Sequence, residues 1–198
     1  MSNNKKLSVL AMFCFFSFVL PLGLFSQTRM NSETIVLQRR QLSIKLNVPQ
    51  NWRVTREQRG TPIPFFNQTY NLRFELPSNE KAVFLITVGR TQTGEPITTE
   101  QFDRLVEGRI STLLPHAVED TASYKNVTIN SGYGRYCTLT DSSLVNKQIP
   151  PDEYLYLTMY FANYNNGCLV FATFLADEID TETFNLVLEV LSGIEFIL

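Results

Sequence analysis

The stretch 154–176 constrains the fold more than any other, because two apolar runs flank Asn166-Gly167 there. Asn-Gly between strand-like runs is a strong hairpin signal, since both residues tolerate the positive φ of a type I′ turn. The sequence therefore predicts an antiparallel hairpin with a two-residue loop. In that register Asn165 faces Cys168 and Tyr164 faces Leu169.

The predicted register makes both faces of this hairpin apolar. One face carries Leu155, Leu157, Met159 and Phe161 with Val170, Ala172 and Phe174. The opposite face carries Tyr154, Tyr156, Tyr160 and Tyr164 with Leu169, Phe171 and Leu175. A sheet with one wet face alternates apolar and polar residues, so two apolar faces favour strands that are covered on both sides. The alternative is an exposed binding face formed by Tyr154, Tyr156 and Tyr160.

Further strands and two helices are predicted around the hairpin. The strand segments are 33–38, 42–48, 71–76, 82–88, 123–129 and 133–139. Thr98 and Gln101 form a capping box for the first helix, which Pro115 ends. Asp180 or Thr181 caps the second helix, and the tail 194–198 either adds a short strand or packs beneath the sheet. The pattern predicts an α+β fold, with one antiparallel sheet of about six or more strands between two helices in a three-layer α/β/α sandwich.

Residues 1–26 have the features of a secretory signal peptide. Lys5 and Lys6 precede the uncharged apolar run 7–25, and Ser26 is a small residue before the predicted cut. A leader, 27–32, and a single domain, 33–198, follow. The sequence thus predicts an exported protein, periplasmic or extracellular. The alternative is a membrane-anchored protein, because the run is nearly long enough to span a bilayer if it is retained.

The charge balance argues against nucleic acid as a partner. The chain has 17 Lys and Arg against 19 Asp and Glu, a formal net charge of −2, whereas nucleic-acid-binding domains are usually basic. One local excess of positive charge contains Arg53, Arg56 and Arg59 in a predicted loop. It is interpreted either as a basic patch for an acidic partner or as a solvated rim.

Catalytic motifs are few. The single histidine, His116, excludes a zinc site of several imidazoles, and neither a nucleophile elbow nor a phosphate-binding glycine loop occurs. Two acidic groups, Glu119 with Asp120 and Asp177 with Glu178 and Asp180, would suit a carboxylate-based hydrolase. They also fall at predicted turns and a helix start, where carboxylates are favoured. No catalytic residue, cofactor or metal is therefore predicted.

Cys137 and Cys168 remain after removal of the signal peptide, and an exported protein can pair them. A simple meander places the strand that begins near Tyr154 between them. Strands two apart lie roughly 10 Å from each other, beyond the reach of a disulfide. Two free thiols are the favoured interpretation, and a disulfide is the alternative.

The order of elements, the segment 48–52 (VPQNW) after an early strand and the segment 190–196 (VLSGIEF) at the last helix resemble the PsbP-like fold over roughly residues 33–196. That fold is shared by the photosystem II protein PsbP, a yeast Ran-binding protein and many exported bacterial domains. The resemblance implies an antiparallel sheet between helices, and a binding or assembly role without catalysis.

The leading hypothesis is a noncatalytic exported domain that binds, or helps to assemble, an unknown protein or small ligand in the cell envelope. Two alternatives stay open. One is a carboxylate-based hydrolase, and the other is a structural domain whose uncleaved N-terminal helix holds it in the membrane.

Overall fold

A computed structural model gives the fold for residues 29–38, 42–57, 66–77, 81–179 and 181–198. The predicted signal peptide, residues 1–26, lies outside these ranges. The elements are β1 (Met30–Gln38), β2 (Leu42–Pro49), β3 (Arg53–Glu57), β4 (Phe66–Glu75), β5 (Ala82–Thr91), α1 (Thr99–Ser111), β6 (Lys125–Val127), β7 (Gly132–Thr140), β8 (Tyr156–Tyr164), β9 (Cys168–Ala176), α2 (Glu182–Ser192) and β10 (Glu195–Ile197).

The strands form two antiparallel sheets. The large sheet has seven strands in the order β3-β4-β5-β9-β8-β7-β6, and the small sheet has three in the order β1-β2-β10. The predicted α+β class is confirmed. The first two predicted strands do not join the large sheet but form a second sheet with β10. Ile44, Leu46 and Val48 of β2 are buried in the core cluster that side chains of the large sheet also form.

Each face of the large sheet carries a covering layer, but α1 covers only the part of its face that β7, β8 and β9 form. On one face, Phe102, Val106 and Ile110 of α1 form a core cluster with side chains of β7, β8 and β9. On the other face, α2 and the small sheet pack against the strands. Trp52 lies edge-on to Phe74 and Phe84, with ring centroids 6.3 and 6.2 Å away, and Phe196 of β10 lies 4.8 Å from Tyr164.

The central hairpin is present, but its predicted register is wrong by one residue. Asn163 faces Leu169 and Phe161 faces Phe171. The loop has three residues, closed by a hydrogen bond of 3.1 Å from the Gly167 N–H to the Tyr164 carbonyl. Gly167 has φ +74° and neither loop asparagine has positive φ, as in a type I turn with a G1 bulge.

The shift moves every β9 side chain to the face opposite the predicted one, because side chains alternate along a strand. Phe161 therefore shares its face with Leu169 and Phe171 rather than with Val170 and Ala172. The end of β5 holds the hairpin loop in place, because the Thr91 N–H donates to the Gly167 carbonyl at 2.9 Å. A Cβ on Gly167 would lie 2.5 Å from the Gly94 carbonyl carbon.

The predicted helix caps are present. The Gln101 N–H donates to Thr98 Oγ1 at 3.3 Å and the Thr98 N–H to Gln101 Oε1 at 2.9 Å, which completes the capping box. Thr181 caps α2, since its Oγ1 accepts the Phe184 N–H at 3.1 Å; Asp180 lies outside the described residues. The tail adds β10 to the small sheet.

Cys137 and Cys168 are free and buried, which confirms the favoured interpretation. Strand β8 lies between β7 and β9, and the two thiols belong to core clusters on opposite faces of the sheet. Burial raises the pKa of the Cys137 thiol to about 11 and that of Cys168 to about 12. Both side chains therefore act as small apolar core groups at neutral pH.

Candidate functional site

A cavity of about 290 Å³ opens where β5 begins and β9 ends, beside the first turn of α2. Ala82 and Ala176 are paired across the two strands. The residues just outside that pair, Lys81 and Asp177, therefore meet at the mouth. Phe174 and the two alanines form the apolar lining, and Thr183 of α2 also lines the cavity.

Lys81 is held in place at three points. Its Nζ lies 2.8 Å from Asp177 Oδ2, donates to the Pro150 carbonyl at 2.8 Å and lies 5.6 Å from the ring centroid of Tyr154. A partly exposed ion pair of this kind adds only about 0–1 kcal/mol to stability. Its main effect is to fix the orientation of the Asp177 carboxylate at the cavity.

One buried polar atom of the lining has no hydrogen-bond partner among the described residues. Asp177 Oδ1 is a buried acceptor without a partner there. Thr183 is only 8% exposed as a residue, but its hydroxyl oxygen does not belong to the buried atoms that lack a partner. Leaving a buried polar atom unsatisfied costs about 1–3 kcal/mol, so such atoms usually have a partner. A polar molecule in the cavity would satisfy Asp177 Oδ1 and would find the Thr183 hydroxyl on the same lining.

The N-terminus of α2 adds donors to the same cavity. Thr181 lines it and accepts the Phe184 N–H with its side chain. The N–H groups of a first helical turn have no acceptor inside the helix, and they carry a partial positive charge. The Thr183 N–H is one of these. The lining therefore combines amide and hydroxyl donors of α2 with the carboxylate acceptors of Asp177 and Glu178.

The predicted tyrosine face is not one open surface. Tyr160 is 1% exposed and belongs to the core; its burial raises the pKa of its hydroxyl. Tyr154 and Tyr156 are half-buried. Tyr160 thus cannot contribute to an exposed face, because α2 covers it. Binding through Tyr154 and Tyr156 stays a prediction.

Two arginines of the predicted basic patch, Arg53 and Arg56, lie on opposite faces of one strand. The segment that holds Arg53 and Arg56 was predicted as a loop, but it is the edge strand β3. Residues three apart on a strand lie on opposite faces. The Arg53 side chain is 79% exposed, with Nη1 3.9 Å from Glu75, whereas Arg56 Nη1 donates to the Val36 carbonyl at 2.8 Å. Arg59 lies outside the described residues.

The predicted acidic groups lie at different places. The carboxylate of Glu119 accepts hydrogen bonds from the Thr140 N–H and Oγ1, both at 2.8 Å. Burial acts to raise the pKa of Glu119, but these hydrogen bonds outweigh it and hold the pKa below its ordinary value. Asp120 is exposed. Asp177 and Glu178 line the cavity, and Asp180 lies outside the described residues.

His116 is exposed, and its backbone carbonyl accepts the Ser142 hydroxyl at 2.9 Å. Within the described ranges, no group of three or more His, Cys, Asp or Glu side chains is arranged to hold a metal ion. None of the helices in those ranges has the length and apolar character needed to cross a membrane.

The sequence alone does not single out Lys81, Thr181 and Thr183 as site residues. One signal was present: Lys81 directly precedes the predicted strand 82–88, and Asp177 directly follows the apolar run of the hairpin. Opposite charges at the facing ends of antiparallel neighbours form pairs. The signal becomes usable only when β5 is known to lie beside β9.

Comparison with known proteins gives little. No family model matches the chain, and no curated protein matches its sequence. A crystal structure from Bacteroides thetaiotaomicron VPI-5482 is similar with a TM-score of 0.42 and 13% identity, over 77% of this chain and 44% of that chain. This chain thus spans less than half the length of that protein. The similarity is too low to establish a common fold, and the resemblance to the PsbP-like fold stays a prediction.

Proposed function

We propose that this protein is a noncatalytic, exported binding domain that takes a small polar ligand in the cavity beside Lys81 and Thr183. One observation carries the proposal: Asp177 Oδ1 is buried and unsatisfied within the described residues, and Asp177 lines the same cavity as Thr183. Export rests on the signal-like segment 1–26, and a binding role agrees with what the PsbP-like resemblance implies.

The lining favours binding over catalysis. Its described residues include no histidine, cysteine or serine. The Thr181 hydroxyl caps α2 by accepting the Phe184 N–H, and no hydrogen bond among the described residues joins a lining threonine hydroxyl to a base. A glycosidase-like site needs two carboxyl groups on opposite sides of the scissile bond. Here one of the two lining carboxylates is occupied by Lys81, and Glu119 is bound to Thr140 instead.

The size of the cavity limits the ligand. Small-molecule sites usually measure roughly 300–1,000 Å³, and this cavity, at about 290 Å³, is at the lower end. The expected ligand is therefore a single small molecule or one residue of a larger one.

The test is a native mass spectrum of the protein purified from its own cell envelope, followed by NMR titration with any molecule that co-purifies. We expect a bound small molecule, and amide shifts at Lys81, Asp177 and Thr183. Thr183→Val should weaken binding, whereas the surface variant Arg73→Ser should not. If no envelope compound shifts these amides, or if shifts occur only elsewhere, the proposal is wrong.

Sequencing the N-terminus of the same preparation tests export against anchoring. A start near Gln27 supports cleavage of the signal peptide. An intact Met1 end supports the membrane-anchored alternative.

A further inference from the structure

We infer that the ligand of this cavity is a neutral, one-ring polyhydroxyl compound, such as a single sugar residue. The inference rests on the proposed function and specifies its ligand. Three features carry it: the paired charges of the lining, the mixture of donors and acceptors, and the apolar side formed by Phe174.

The charged side chains at the cavity disfavour an anionic ligand and act against the attraction of the α2 N-terminus for anions. The only cationic side chain of the described lining, Lys81, is already bound to Asp177 Oδ2 and to the Pro150 carbonyl, both at 2.8 Å. An anion would gain no free cation there. It would also lie beside the carboxylates of Asp177 and Glu178, which line the cavity. Two negative charges in one small cavity repel each other.

A cationic ligand is disfavoured for the converse reason. The unsatisfied acceptor, Asp177 Oδ1, belongs to the same carboxylate whose Oδ2 binds Lys81. A second cation on Oδ1 would lie only a few ångströms from the Lys81 ammonium group. It would also face the positive end of the α2 dipole. A neutral ligand avoids both repulsions.

The hydrogen-bonding groups suit hydroxyl groups. Asp177 Oδ1 can only accept, the Thr183 N–H can only donate, and the Thr183 hydroxyl can do both. A hydroxyl group also donates and accepts. Neighbouring hydroxyl groups on one ring can therefore satisfy the carboxylate oxygen and the helix N-terminus together, which a ligand with donors only or acceptors only cannot do.

The remaining lining is apolar. Phe174, Ala82 and Ala176 come from adjacent strands and lie on one side of the cavity. A pyranose or cyclitol ring has C–H groups between its hydroxyl groups, and these can pack against such a surface. Ligand sites typically combine apolar walls with a few placed polar groups in this way.

The experiment is an NMR titration of the full-length protein with glucose, N-acetylglucosamine and inositol as neutral probes, inorganic phosphate as the anionic probe and putrescine as the cationic probe. We expect saturable shifts at Asp177 and Thr183 with at least one neutral probe. Thr183→Val, which keeps the shape but removes the hydroxyl, should weaken that binding about five- to tenfold, and Thr183→Ser should restore it.

Each other result overturns the inference in a distinguishable way. Saturable binding of phosphate or putrescine alone at these residues refutes the ligand class but leaves the proposed function intact. Silence from all five probes also refutes the ligand class; the proposed function then falls only if the envelope preparation carries no ligand. Equal binding by wild type and Thr183→Val refutes the assigned contact.

Discussion

On one face of the large sheet, one half is covered by α1 and the other half is not. In the covered half, Cys137, Met159, Phe161 and Leu169 lie buried beneath α1. In the open half, Val83, Leu85 and Leu175 are half-buried and belong to neither core cluster. The two halves are continuous, because a single row of paired residues runs from Leu85 through Thr173 and Met159 to Cys137.

The difference follows from dimensions. A helix with its side chains is about 10–12 Å across, whereas seven strands at about 4.8 Å spacing are roughly 30 Å wide. One helix therefore covers only two or three strands, and α1 lies over β7, β8 and β9. On the other face, α2 and the small sheet together cover the strands more widely. Burial here depends on which element lies above a strand.

The largest effect should come from removing a side chain under α1. Phe161→Ala should lower the free energy of unfolding by about 3–5 kcal/mol, because it leaves a cavity in a buried cluster. Leu85→Ala, in the open half, should cost only about 1 kcal/mol, because Leu85 is already partly in water. Urea unfolding with a constant m-value measures both. Equal losses would mean that the open half is covered after all.

Gly167 lies at the edge of the covered half, where the hairpin loop packs against residues 91–94. A substitution there tests how tightly this loop is packed. Gly167→Ala should lower the free energy of unfolding by about 2 kcal/mol, because its φ is +74° and a Cβ would lie 2.5 Å from Gly94. The matched control is Gly108→Ala in α1, where a Cβ meets nothing within 4 Å. That variant should stabilise the protein by about 0.5–1 kcal/mol. A loss for Gly108→Ala would show that the outer side of α1 is also in contact.

Glu119 joins the segment after α1 to the end of β7. Because its folded pKa is lowered, its stabilising effect is complete above the unfolded pKa of about 4.3 and is lost as the pH falls through the folded pKa. Glu119→Gln should therefore lose about 1 kcal/mol at pH 7. The difference in free energy of unfolding between wild type and variant should shrink as the pH is lowered. Urea unfolding at pH 7, 5 and 3 measures it. A difference that is independent of pH would contradict the ionised hydrogen bonds.

The smallest effect is expected on the exposed rim of the open half. Arg73→Ser changes an exposed side chain on β4, and surface substitutions usually alter stability by no more than about 0.5 kcal/mol. Differential scanning calorimetry should give a nearly unchanged melting temperature. A clearly lower melting temperature would show that the Arg73 side chain has a structural partner. It would also show that the open half contributes more to stability than Leu85 alone indicates.

The sequence predicted those features that local chemistry determines. The capping box at Thr98, the alternation in β2 and the existence of the central hairpin all depend on nearby residues. The hairpin register does not, because Gly167 adopts its conformation against the loop at Gly94. Strand β3 was missed because Arg53 and Arg56 give it a polar edge. The cavity was missed because Lys81 and Thr183 meet only after β5, β9 and α2 are placed.

The pairing of β10 with β2 determines when the fold can be completed. Lys45 and Glu195 are 150 positions apart and form an ion pair of 3.0 Å. During synthesis, the hairpin of β1 and β2 must therefore wait until residues 195–197 have been made before its third strand exists. Contacts so distant along the chain form slowly. Deletion of residues 195–198 would remove β10. The small sheet should then consist of β1 and β2 alone, even after a long time of folding.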